Sequence, residues 1–253
     1  MRCLETDFVY LENPPAYEAV RDDFPWEVTA QEERARRQQA EPLVSRLSDT
    51  VKRAKAWLRP RRNRMFDLAA RAVQAIDRGR TLRLVDIGCG SGYLASVCCE
   101  RFAERGRDIL PIGIELSPAL AEAAEKTFEP WSGEVVAAPA VEALGAIDEG
   151  SIDIAFMASF LEHDQQPLEL LRTLKPRLAA DGCAVIKVPN FDSWNRRLRG
   201  KRWCGFRFPD HVNYFTPATL ARLAKEAGYR VDRGSWTDRQ PLSDNMYAVL
   251  RAA

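Results

Sequence analysis

The sequence predicts an α/β fold in which a doubly wound, mostly parallel sheet of seven strands carries helices on both faces. Three features of its 253 residues indicate this fold. From residue 80 onward, short β-branched segments alternate with amphipathic segments, which is typical of a parallel sheet covered by helices. A glycine loop joins the first strand segment to the first amphipathic one. Seven strand segments can be counted before the chain ends.

Residues 80–253 form the predicted catalytic domain. We place its strands at residues 82–87, 111–115, 134–138, 152–158, 183–189, 229–236 and 246–251. Ser117-Pro118 and Thr216-Pro217 are typical helix starts, because the first residue caps the helix and proline suits its first turn. Gly228 is a typical helix end. Only about ten residues join the last two strands, too few for a crossover, so the last strand is expected to be antiparallel.

Residues 1–79 are predicted to be a helical N-terminal extension. They show no convincing strand pattern, and residues 29–58 and 62–76 have helical character with Pro60 between them. The first residues lack the basic end and apolar run of a secretory signal, and no segment approaches the roughly 18 apolar residues of a membrane span. We therefore expect a cytoplasmic protein.

Composition excludes several classes of protein. Hydrophobic residues make up 46% of the chain, charged residues 29%, and the formal net charge is +1, as in an ordinary globular protein. Such a balance does not favour a nucleic-acid partner. The six cysteines contain no C-x-x-C pair and no spacing typical of a zinc site, so no metal is predicted.

The strongest local signal is the segment LVDIGCGSGYLA, in which a buried strand runs through Asp86 into a loop containing Gly88, Gly90 and Gly92. Glycines suit such a loop because its turn uses backbone angles that a Cβ disfavours and because a ligand must approach the main chain closely. The helix that follows offers free N–H groups to an anionic group. This order of strand, loop and helix predicts a nucleotide-type pocket.

The spacing of the loop favours S-adenosylmethionine over a dinucleotide. A nicotinamide or flavin fingerprint asks for G-x-G-x-x-G, and Tyr93 stands where the third glycine should be. Asp86 suits the α-amino group of the methyl donor. Glu115 follows roughly 20 residues further on, at the end of the next strand, where an acid can accept hydrogen bonds from both ribose hydroxyls. The alternative is a surface acid beside an ordinary β-to-α turn.

Three segments carry a resemblance to the class I S-adenosylmethionine-dependent methyltransferase superfamily: VDIGCGSG, IGIELSP and SIDIAFMASFLEH. The tail from residue 200 is similar to a subgroup with ubiquinone-pathway O-methyltransferases and sugar or polysaccharide methyltransferases. The resemblance implies S-adenosyl-L-methionine as cofactor. It adds Cys89, Tyr93, Leu116, Val141 and Ser159 to the residues expected to line the cofactor site.

Two departures from the family pattern stand out. Pro139 and Ala140 occupy the place where the family commonly has an acid that touches the adenine amino group. The amino end resembles a family extension that carries zinc-type cysteines, but Cys3 stands alone there. One thiol cannot build a tetrahedral zinc site, so no metal is expected at this end.

The acceptor site is predicted around the two histidines of the chain. His163 and His211 follow sheet-edge segments, and histidine is the side chain best matched to removing a proton near neutral pH. Each could instead be a hydrogen-bonded structural residue. Aromatic residues near His211 form either a pocket wall or core: Trp203, Phe206, Phe208, Tyr214 and Phe215.

A basic run without an acid lies in the same region: Arg196, Arg197, Arg199, Lys201 and Arg202. A second basic run covers residues 52–64. Such runs are usually solvated faces, and their functional interpretation is an anionic acceptor or surface. The leading hypothesis is O-methylation of a small molecule, lipid or glycan. RNA methylation and a non-catalytic scaffold that binds the cofactor are the alternatives.

Overall fold

The computed structural model describes residues 1–14, 50, 63–77, 79–232, 238 and 240–253. The strands are β1 (Val9–Tyr10), β2 (Leu82–Ile87), β3 (Ile109–Ile114), β4 (Glu134–Val136), β5 (Ile152–Ala158), β6 (Leu178–Pro189), β7 (Asn213–Tyr214), β8 (Tyr229–Asp232) and β9 (Asn245–Ala252). The α-helices are α1 (Arg64–Ala72), α2 (Tyr93–Ala103), α3 (Pro118–Phe128), α4 (Ala140–Ala146), α5 (Pro167–Leu174), α6 (Trp194–Arg199) and α7 (Pro217–Glu226).

Seven strands form one sheet in the order β4-β3-β2-β5-β6-β9-β8. The pairs from β4 to β6 are parallel, and β9 runs antiparallel to both β6 and β8. The predicted fold class is confirmed, including the antiparallel last strand. Because the strand order reverses between β2 and β5, a crevice opens there beyond the carboxyl ends of the strands, where ligands of such folds bind.

Both faces of the sheet are covered, as predicted. In β2, Val85 and Ile87 point to one face, where they join an apolar core with α4, α5 and α7. Leu82 and Leu84 point to the other, where they meet α1 and α2. The alternation follows from the two-residue repeat of a strand. The central strands are therefore apolar on both sides, and polar residues concentrate at their ends.

The N-terminal region contains a strand that the sequence pattern missed. β1 pairs antiparallel with β7, and the ring of Phe8 lies 5.2 Å from that of Phe215. Two residues are too few to show strand periodicity, so the expectation of no strand before residue 80 is wrong here. The predicted helix at residues 62–76 corresponds to α1, which packs on the sheet. The predicted helix at residues 29–58 lies almost wholly outside the described residues, and the boundary at residue 79 stays a prediction.

Some strand boundaries differ from the prediction. β3 begins at Ile109 and β6 at Leu178, both earlier than expected. β8 ends at Asp232, and residues 233–236 of the predicted strand lie outside the described part of the chain. Among the helices that the structure describes, none is long and apolar enough to cross a membrane. The cytoplasmic location stays a prediction.

Candidate active site

The glycine loop connects β2 to α2 at the reversal point of the sheet. Gly88 and Gly90 have φ angles of +70° and +56°, which a side chain disfavours. A Cβ on Gly88 would overlap the ring of Phe160, whereas a Cβ on Gly90 would meet nothing within 4 Å. Gly92 ends the loop as the N-cap residue of α2. The main chain at Gly90 therefore has open space beside it, which suits close approach of a ligand.

Asp86 lies under this loop and is 2% exposed. Burial, together with the charge of Glu115, raises the pKa of its carboxyl from 3.8 to about 7. A cation beside this carboxylate would offset the free-energy cost of burying its negative charge, because a nearby opposite charge favours the ionised form. The site thus fits a ligand that brings a positive amino group to Asp86.

Glu115 follows β3 and faces the loop from the neighbouring strand. One carboxylate oxygen accepts a hydrogen bond from the Gly90 N–H at 2.9 Å, and the other accepts one from the Ser117 N–H at 3.0 Å. A carboxylate has about four acceptor positions, so each oxygen can accept a further donor. The carboxylate therefore lies at the loop with capacity left, and its contact with ribose stays a prediction.

The other predicted cofactor residues lie along the same edge of the sheet. Leu116 is half-buried after β3, and Val141 is half-buried in the first turn of α4. Ser159 follows β5 with a φ of +61°, and its hydroxyl accepts a hydrogen bond from Lys187 Nζ at 3.1 Å. Tyr93 begins α2 and is 73% exposed. The fold brings these positions to one edge of the sheet, and their contact with the cofactor stays a prediction.

Two positions bear on the departures noted in the sequence. Cys89 is buried in the loop, and burial raises the pKa of its thiol, so it is a neutral packing residue. Pro139 precedes α4, and Ala140 is buried in its first turn. Neither residue type carries the acidic group that the family commonly has at this place. The expectation that adenine is held by backbone and apolar contacts, or is bound more weakly, stays a prediction.

The segment after β5 links the glycine loop to the histidines. Phe160 covers Gly88, and its carbonyl accepts a hydrogen bond from the His163 N–H at 2.8 Å. His163 is therefore one turn away from the residue that packs on the loop.

His163 is held by Asp210. Its Nδ1 lies 2.8 Å from a carboxylate oxygen of Asp210 and 2.9 Å from the backbone oxygen of the same residue. Burial alone would lower the pKa of His163, but the hydrogen bond to Asp210 and the charges of Glu162 and Asp210 raise it above the ordinary value. The side chain is 25% exposed. Asp210 thus fixes the ring through Nδ1, and Nε2 is the ring nitrogen that Asp210 does not engage.

His211 lies behind His163 in the interior. It is 4% exposed, its Nδ1 lies 2.8 Å from the Gly205 carbonyl oxygen, and the two imidazole rings meet edge to face with centroids 4.7 Å apart. Burial and the neighbouring His163 lower the pKa of His211 to about 3. The prediction that the two histidines mark one site is consistent with this contact. His211 is a poor proton acceptor at neutral pH, and the catalytic role of either residue stays a prediction.

Two carboxylates complete this cluster and were missed at the sequence level. Asp210 precedes His211, and Glu162 precedes His163, so adjacency to histidine was the available signal. Glu162 is 1% exposed, burial raises its pKa, and Oε2 has no hydrogen-bond partner among the described residues. Glu162, His163 and His211 each bring a ligand atom within 4.8 Å of the others, so they are the described residues that could hold a metal ion. The expectation of no metal remains untested.

The aromatic residues of this region divide between core and surface. Trp203 and Phe215 are buried, whereas Phe208 is 75% exposed. The ring of Phe206 meets that of Trp203 edge to face and that of Tyr214 at a tilt, with centroids 5.5 Å and 5.4 Å apart. The cluster supports the loop that carries His211 and forms a packed layer.

Comparison with known proteins agrees with the fold and the glycine loop. Residues 33–233 match the family described as a methyltransferase domain. A ubiquinone biosynthesis O-methyltransferase of Burkholderia pseudomallei is 29% identical over 165 residues, which cover 59% of this chain and 65% of that protein. The matched part is thus just under two thirds of the relative's length.

Solved structures show the same fold at low sequence identity. A SAM-dependent methyltransferase from Archaeoglobus fulgidus is 20% identical with a TM-score of 0.50, covering 77% of this chain and 96% of that one. The [4+2]-cyclase SpnF is 18% identical with a TM-score of 0.53, covering 75% and 82%. The family match covers more than half of the chain and agrees with the glycine loop and the sheet order. The chain belongs to the methyltransferase domain family and contains a class I S-adenosylmethionine-dependent methyltransferase domain.

Proposed function

We propose that this methyltransferase transfers the methyl group to a hydroxyl of a small molecule, lipid or glycan. The observation that carries the proposal is the pair of Asp210 and His163, which lies one turn beyond Phe160, the residue that packs on the glycine loop. A hydroxyl is a weak nucleophile at neutral pH and gains from a base that removes its proton. S-adenosylmethionine, when bound, supplies a methyl group activated by a sulfonium.

The residues of this chain have distinct roles in the proposal. Asp86 and Glu115 would hold the amino and ribose groups of the cofactor, and Gly90 would let it approach the main chain. Asp210 orients the ring of His163 through Nδ1, so that Nε2 accepts the proton of the acceptor hydroxyl. His211 remains neutral and packs against His163. Positioning of the two reactants accounts for much of the remaining rate.

The similarity to a ubiquinone biosynthesis O-methyltransferase supports transfer to oxygen, since that name states the acceptor atom. It does not identify the acceptor, because the identity is 29%. RNA methylation gains no support from a net charge of +1. A non-catalytic scaffold that binds the cofactor is the second candidate, because Pro139 and Ala140 stand where the family commonly has an acid that touches adenine.

The test is a screen of hydroxylated acceptors in which release of S-adenosylhomocysteine is measured. With an accepted substrate, His163→Ala is expected to lower kcat by about 100-fold or more, the size of a lost general base, while cofactor affinity stays nearly constant. His211→Gln is the comparison variant and is expected to keep most activity if it folds. Loss of cofactor binding together with turnover in His163→Ala would assign the residue a structural role. Absence of turnover with every acceptor, despite tight cofactor binding, would favour the scaffold.

A further inference from the structure

Helix α6 exposes an apolar pair. Trp194 is 56% exposed and Leu198 is 87% exposed. They are four positions apart in the helix, so the two side chains lie on one face. The backbone N–H of Trp194 donates to the Pro241 carbonyl at 2.8 Å, which brings the next residue, Leu242, close to the start of the helix. Leu242 is 64% exposed and extends the apolar area.

Cationic side chains surround these apolar residues. Arg197, Lys201 and Arg202 are exposed in α6 and in the turn that follows. No acid occurs between residues 193 and 204, although Asp192 pairs with Arg197. We call residues 194–202 together with Leu242 the α6 platform. It combines large apolar side chains with a local excess of positive charge.

The α6 platform is held in place by a partly buried hydrogen-bond network centred on Asp244. One carboxylate oxygen of Asp244 accepts hydrogen bonds from Ser193 Oγ at 3.0 Å and from Trp203 Nε1 at 2.7 Å. The other accepts one from Asn195 Nδ2 at 2.6 Å. These bonds join both ends of α6 to the loop that carries Leu242. The apolar side chains are therefore presented by an ordered support.

We propose that the α6 platform docks the protein on an anionic lipid bilayer. Trp194, Leu198 and Leu242 would enter the boundary between headgroups and acyl chains, where tryptophan and leucine are favoured in interfacial helices. Lys201 and Arg202 would contact lipid phosphates, and each basic residue near an anionic surface strengthens binding. Nucleic acid fits less well, because the exposed leucines have no part in binding a phosphate backbone.

Docking at this surface would also orient the candidate active site. Trp203 ends the turn after α6 and contacts Phe206, and the Gly205 carbonyl between them bonds His211. The α6 platform and the histidines thus belong to one continuous packed segment. A lipid-soluble acceptor could then reach the site from the bilayer. The docking itself does not depend on which acceptor is used.

The experiment is flotation of the full chain with vesicles of phosphatidylcholine alone or mixed with phosphatidylglycerol. We expect binding to the anionic vesicles to be at least about tenfold tighter than to the neutral ones and to weaken at high salt. Two platform variants, Trp194→Ala with Leu198→Ala and Lys201→Glu with Arg202→Glu, are each expected to weaken it by about tenfold or more.

Two controls separate the α6 platform from general exposure and charge. Leu4→Ala removes an exposed leucine elsewhere, and Lys126→Glu with Lys225→Glu reverses two exposed charges on other helices. Both are expected to bind within about twofold of the wild type. Cofactor binding checks the fold of every variant independently of vesicles. The proposal would be overturned if the protein bound both vesicle types equally or bound neither. It would also be overturned if the platform variants bound as tightly as the wild type, or if the protein bound RNA in a salt-sensitive way without binding vesicles.

Discussion

Replacing Asp86 with Asn should change how stability depends on pH. The folded-state pKa of Asp86 is about 7, against 3.8 for an exposed aspartate. Between these values the folded protein keeps a proton that the unfolded chain has lost, so the free energy of unfolding falls as pH rises through that window. Each pKa unit corresponds to about 1.4 kcal/mol. From about pH 5 to about pH 8 the wild type should therefore lose about 3 kcal/mol through this group, and Asp86→Asn should not.

Urea unfolding of the cofactor-free protein measures the effect. The quantity to compare is the unfolding free energy of Asp86→Asn minus that of the wild type, measured in steps from about pH 5 to about pH 8. The difference is used because the contributions of other titrating groups cancel in it. We expect this difference to grow by about 3 kcal/mol and then level off. Asp148→Asn, at an exposed aspartate, should give a flat difference. A flat difference for Asp86→Asn as well would refute the inference that a buried, proton-holding carboxyl lies beneath the loop.

Two further predictions concern the glycine loop. Glu115→Ala should weaken binding of S-adenosylmethionine by roughly ten- to a hundredfold in calorimetry, because ribose hydrogen bonds worth on the order of 1.5–3 kcal/mol are lost. An unchanged affinity would mean that the carboxylate does not contact the ribose. Gly88→Ala should lower the unfolding free energy by more than about 2 kcal/mol, because its Cβ would overlap Phe160. Gly90→Ala should cost only about 1 kcal/mol, for its positive φ, while weakening cofactor binding. Equal losses of stability in the two glycine variants would contradict the crowding at Gly88.

The sequence predicted the sheet and the cofactor edge because both depend on local patterns. The glycine loop, the acid after the second strand of the main sheet and the proline-capped helices each occur within a few residues, and parallel strands bring their carboxyl ends together. Gly90 and Glu115 were predicted from separate motifs, and the structure joins them by one hydrogen bond. Strand β1 was missed because its two residues gain their structure from pairing with β7.

The histidine cluster shows what local patterns cannot supply. His163 and His211 are far apart in sequence, and only the fold makes one partly exposed and the other buried. That difference in burial, together with the position of Asp210, raises the pKa of one and lowers that of the other. The sequence favoured His211 as the base, whereas the function proposed above assigns that role to His163. Burial depends on packing across the whole domain, so residue type and spacing could not distinguish them.

The most direct measurement of cofactor use is calorimetric titration of the full chain with S-adenosylmethionine, S-adenosylhomocysteine and NAD. Tyr93 breaks the dinucleotide pattern, and Asp86 and Glu115 suit amino and ribose groups. Both sulfur ligands should therefore bind, and NAD should show no measurable binding at the same concentration. Tighter binding of NAD than of either sulfur ligand, or no heat from any of the three, would contradict the assignment of this loop to S-adenosylmethionine.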